Sequence, residues 1–124
     1  MVKDSNSVNR PLTEEENRLA LWMLENGNPQ ALAFTAQLEL TEVTPWKCAC
    51  GCASINFQIK GQPETPPGVH ILGDFLLGDA NHLSGAFIFE SGGLLGGIEV
   101  YGLAGDAPTV LPVAGDLRTM DSRA

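Results

Sequence analysis

The chain has 124 residues, of which 44% are hydrophobic and 18% charged, and a formal net charge of −8 at pH 7. That apolar content suffices for one packed core, and the length leaves little room for a second domain. Fifteen acidic against seven basic side chains exclude a broad phosphate-binding surface, which needs clustered cations to displace counterions, so no nucleic-acid partner is expected. The same balance argues against attachment to an anionic membrane.

Residues 1–11, rich in Ser and Asn, are expected to form a flexible N-terminal tail without the apolar stretch of a secretory leader. At Thr13 a capping box opens a helix: its hydroxyl can accept from the Glu16 amide while the Glu16 carboxylate reaches back. Leu19, Trp22, Met23 and Asn26 follow at helical spacing, and Gly27 is placed to end the helix. Asn28 and Pro29 read as the start of a second helix, with Ala31, Phe34, Thr35 and Leu38 on its buried side.

From Glu42 the period changes from helical to alternating. Ala53 to Lys60 predicts a strand with Ile55, Phe57 and Ile59 inward. A Pro-rich loop follows, then a strand over Val69–Leu77, with His70 and Asp74 expected to share its outer side. Gly85–Glu90 and Leu94–Tyr101 predict two more strands, joined by a hairpin turn at Ser91-Gly92-Gly93, with a bulge at Gly96-Gly97. Beyond Gly102 the pattern fades. Helices first and strands afterwards predict an α+β domain: two N-terminal helices packed on one face of an antiparallel sheet of about four strands. It would span residues 12–118, with a C-terminal tail at 119–124.

The unusual stretch is Cys48-Ala49-Cys50-Gly51-Cys52. Three clustered cysteines are unlike the even, dispersed set of a secreted disulfide scaffold and fit a reduced, cytoplasmic protein. If the strand register runs back unbroken, the thiols fall on the polar face with Ser54, Asn56 and Gln58. Same-face side chains on a strand stand roughly 6.6 Å apart. Three thiols on a straight strand therefore cannot converge on zinc, whose sulfur ligands lie about 2.3 Å from the ion. A kink at Gly51 would bring them together, with His70 or His82 as a fourth ligand. A labile Cys50–Cys52 disulfide is the redox alternative, and plain packing beside a sheet is the simplest reading.

Asn56, Gln58, His70, Asp74, Glu90, Glu99 and Tyr101 make up the expected polar face, either a wet surface or acid–base groups from separate strands. No phosphate loop, nucleophile elbow or helical metal pair is present, so no catalytic residue is assigned. Trp46, beside Pro45, could anchor a partner.

The Thr-Glu-Glu-Glu helix start, Cys50-Gly51-Cys52-Ala53-Ser54 entering a strand and Ile98-Glu99-Val100-Tyr101 within Leu94–Leu103 go together. So do Gly105-Asp106 and Leu111-Pro112. In these features the chain resembles a group of small uncharacterised bacterial proteins, over roughly Leu12 to Arg118. The resemblance implies a bacterial source and brings no activity or catalytic residue with it. The functional expectation is a non-enzymatic, immunity- or adaptor-like module that binds another protein, a basic partner suiting its acidic face, and needs no cofactor. Trp46, Glu99 and Tyr101 would be its anchors. The alternative is a metal or redox site at Cys48, Cys50 and Cys52 with His70, zinc being the metal. A homodimer through the Gly-rich last strand, read as a sheet edge, is a further expectation.

Overall fold

The computed structural model describes residues 8–119; the outer parts of the expected tails, 1–7 and 120–124, lie outside it. The strands are β1 (Arg10–Pro11), β2 (Thr41–Val43), β3 (Ile55–Ile59), β4 (His70–Leu77), β5 (Ser84–Ser91), β6 (Leu94–Gly102) and β7 (Arg118–Thr119). They form one antiparallel sheet in the order β1-β2-β3-β6-β5-β4-β7. The expectation of about four strands is therefore corrected to seven, and the molecule is sheet-dominated. The strands without a sequence signal are two or three residues long, too short to show an alternation. β6 is the central strand rather than an edge, which removes the edge expected to pair with a second copy.

Helix α1 spans Glu14–Glu25 and opens with the expected capping box: Glu16 N donates to Thr13 Oγ1, and Thr13 N to Glu16 Oε1. Arg10 makes a two-pronged contact to the Glu16 carboxylate at 2.8 and 2.9 Å, fixing the chain entry to the helix. The segment Ala31–Leu40 is a 3₁₀ helix of ten residues, long for this geometry. Side-chain bonds hold its two ends. Asn28 Oδ1 accepts from the amides of Gln30 and Ala31, and Gln37 bridges Gly93 O and Leu95 N at the β5–β6 hairpin.

The core lies between these helices and one face of the sheet. Leu19, Met23 and Leu24 of α1 meet Phe57, Leu72, Phe75, Ile88, Leu95, Ile98 and Val100, and Trp22 packs on Phe75 at 5.0 Å between ring centroids. Two bulges set which side chains face inward. In β4 the register shifts between Ile71 and Gly73, so Leu72 turns inward and Ile71 joins Asp74 and Leu76 outside. Asn28 takes up the two carbonyls displaced there, its amide bonding Leu72 O and its side chain Ile71 O. Gly27 permits this approach: a Cβ on it would stand 2.3 Å from Leu72 O. The helix ends at Asn26, and Gly27, the residue expected to end it, does not take the left-handed conformation of a glycine cap. The second bulge, at Gly96 in β6, is the expected one.

Candidate functional site

The cysteines are not on a strand. They lie in the connection of residues 44–54 between β2 and β3. Pairing runs on past Val43 only to Thr44, whose amide bonds Asn56 O; the Trp46 amide, the next that could face β3, turns back to Thr44 Oγ1 instead. The Gly51 amide donates to Cys48 O at 3.1 Å, closing a tight turn. Gly51 adopts φ +84°, open to glycine without strain, and nothing lies within 4 Å of where its Cβ would stand. This reversal breaks the alternation that would have spread the thiols, and it brings the Sγ atoms of Cys48, Cys50 and Cys52 within 4.8 Å of one another.

Hydrogen bonds tie the sulfurs together. Cys48 Sγ and Cys50 Sγ are 2.8 Å apart, and the Cys52 amide donates to Cys50 Sγ at 3.3 Å. Donating its own hydrogen, to Cys48 Sγ first and then to Cys52 Sγ, pushes the Cys50 thiol up to about 11. At Cys52, burial alone would raise the pKa. Hydrogen bonds from Cys50, from the Ser54 side chain and amide, and from Cys48 outweigh it and bring the thiol down to about 7. Ser54 is equipped for this. Its buried Oγ already accepts from the Val100 amide at 3.0 Å, so its own hydrogen can turn to Cys52 Sγ, 3.3 Å away, once that sulfur loses its proton.

Cys48 and Cys52 line a cleft of about 630 Å³. It is lined by the 44–54 connection, by Leu111–Val113, by Glu15, Leu19 and Glu16 of α1, and by Arg10 of β1, which is paired to Glu16. Trp46, 42% exposed, stands at its rim beside Lys47. The Arg10 contact, against a smaller opposing effect of burial, holds the Glu16 carboxyl below the usual carboxylate range.

The remaining expected site residues lie elsewhere. His70 is opposite Glu90 in the β4–β5 register, and its Nδ1 is hydrogen-bonded to the Glu90 carboxylate, which also accepts from Gly93 N. It therefore does not join the sulfurs as a fourth ligand. The β4 bulge also puts it on the side of the sheet opposite Asp74. His82 sits in the β4–β5 turn, 3.6 Å from Asp79 Oδ1. Glu99 and Tyr101 alternate with the buried Ile98 and Val100, so they project from the outer face, away from Trp46 and the α1 side. Tyr101 donates to Asp74 Oδ1 at 2.6 Å, a cross-strand contact that sequence spacing could not reveal. Burial first, then that bond and the Asp74 charge, hold its phenol far above the ordinary tyrosine value. Among the described residues, the cysteine trio is the one group of three or more metal-ligating side chains that converges. No helix among those residues is long and apolar enough to cross a membrane.

No protein-family model, no curated protein and no solved structure matches this chain. Function rests on the geometry alone.

Proposed function

We propose that Cys48, Cys50 and Cys52 form a thiolate site for a soft transition-metal ion. One observation carries this reading: a tight turn gathers three sulfurs within 4.8 Å of one another, with Cys48 and Cys52 lining a cleft. Thiolates are the donors that soft ions select. The amide and hydroxyl bonds to the sulfurs are the kind of outer support that orients metal ligands. Binding would spread Cys48 and Cys50 from 2.8 Å to about 3.8 Å, the separation set by metal–sulfur bonds near 2.3 Å. An exposed loop can make that shift. The test is elemental analysis of protein purified under reducing conditions, followed by titration with zinc and with cuprous ion. About one ion per chain is expected, abolished when all three cysteines become serine. Failure of both ions to bind sinks the reading. If instead a small disulfide reagent rapidly oxidises two thiols in metal-free protein, the 2.8 Å pair acts in redox chemistry.

A protein contact is the second reading, and the exposed indole of Trp46 at the cleft rim favours it. Trp46 and the outer-face pair Glu99 and Tyr101 cannot form one continuous patch, so the contact would use the cleft side. Trp46→Ala should then abolish capture of a partner whose affinity falls with salt; undiminished capture removes this reading.

A further inference from the structure

We infer that the thiolate trio is a three-coordinate site that prefers cuprous copper to zinc, an inference that rests on the metal-site reading above. The donor set is three sulfurs and nothing else. Among the described residues no histidine, carboxylate or further cysteine completes it. A closed zinc site takes four protein ligands, and the open zinc sites that activate water carry nitrogen or oxygen donors among their three. Three thiolates already over-neutralise a divalent ion and weaken its pull on a fourth ligand. A monovalent soft ion is satisfied by three sulfurs, and thiolates select it.

The candidates for a fourth donor are committed elsewhere. Glu16 is clasped by Arg10 at 2.8 and 2.9 Å, and His70 is held by Glu90. His82 lies beside Asp79. Glu15 stands on the α1 wall of the cleft, outside the sulfur cluster. The negative charge left on a trigonal copper–thiolate unit has support at hand: the Cys52 amide donates to Cys50 Sγ, the Ser54 hydroxyl lies 3.3 Å from Cys52 Sγ, and the Lys47 ammonium is one residue away. Cys50 is exposed, so solvent screens the remainder.

The whole chain should be titrated without oxygen, with cuprous ion in competition with a coloured cuprous chelator and with zinc in competition with a coloured zinc chelator. One cuprous ion per chain is expected, with a shell of three sulfurs in X-ray absorption, and it should stay bound under a large excess of zinc. Cys48→Ser, Cys50→Ser and Cys52→Ser should each weaken copper binding by more than the roughly 10- to 100-fold that follows loss of an outer partner. Far-UV circular dichroism checks that each variant stays folded, and Ser54→Ala, outside the ligand set, should bind copper with the three-sulfur shell intact. Displacement of copper by zinc, or a four-ligand shell around either ion, overturns the copper assignment and leaves a metal site standing. A single serine variant that binds as tightly as the natural chain overturns the three-coordinate geometry. Binding of neither ion overturns the metal reading itself.

Discussion

The outer face of β4–β6 and the cysteine turn both bear reactive groups, and the fold treats them in opposite ways. Tyr101 is locked: its hydroxyl is spent on Asp74, its ring covers Gly85, and it leans on Phe87, which in turn leans on Phe89. The thiols are held by one turn, by one another and, at Cys52, by Ser54, in a segment that itself carries no strand pairing. Strand pairing fixes a side chain by fixing its neighbours, whereas a loop leaves its donors free to rearrange around something else. On the metal-site reading proposed above, the turn is the place for chemistry and the aromatic row is structure.

The largest effect that would sharpen this contrast is steric. A Cβ on Gly85 would stand 2.2 Å from the Tyr101 ring. Gly85→Val should therefore expel the ring and cost about 3 kcal/mol in denaturant unfolding; an unchanged midpoint would show that the aromatic row is loose. Next comes metal. At a free concentration a hundred times the dissociation constant, a bound ion should stabilise the chain by about 2.7 kcal/mol, read as a rise in Tm that Cys50→Ser removes.

Tyr101→Phe should cost about 1.5 kcal/mol, the loss of a hydrogen bond to a charged group. Because the chain has a single tyrosine, absorbance titration reads it directly. Its phenolate should form well above the ordinary value, and Asp74→Asn should lower the midpoint part of the way. A titration at the free-tyrosine value would break the locked picture. On the acid side, hydrogen bonds from Arg10 and His70 hold Glu16 and Glu90 below the usual carboxylate range. A depressed folded-state pKa gives stability that is present above the unfolded value and lost as pH falls through it towards the folded one. Glu16→Gln should flatten part of that acid-side decline, visible as a smaller change in Tm across the window. Smallest of all, replacing all three cysteines by serine should move metal-free stability by no more than about 0.5 kcal/mol. A larger loss would make the turn structural and erase the distinction between the two regions.

Much of the frame is legible in the residues alone. Thr13 with Glu16 announced the helix start, Ile55, Phe57 and Ile59 the inward face of β3, and Gly96-Gly97 the bulge of β6. The edge strands were not, because two or three residues carry no period and their pairing depends on partners distant in sequence. Leu72 defeated the alternation of β4, since one inserted residue moves its neighbours to the opposite faces. At the site, the residue types and the importance of a kink at Gly51 could be read directly. The convergence of the sulfurs could not, because the same alternation of cysteines suits a strand as well as a loop. Pro45 was the available signal that the ladder stops. His70 looked like a ligand because nothing local disclosed that Glu90 would face it across a neighbouring strand.

Ser54 links the two regions. β3 and β6 are registered only at Ile55–Ile98 and Asn56–Gly97, and the Val100 amide, further along β6 on the side of β3, is held by a serine hydroxyl rather than a neighbouring carbonyl. That hydroxyl also faces Cys52. Protonation, oxidation or metal capture at the sulfur is therefore expected to change how firmly one peptide hydrogen in the middle of the sheet is kept. The exchange rate of Val100 with heavy water becomes a gauge, buried in the scaffold, of what the surface turn is holding.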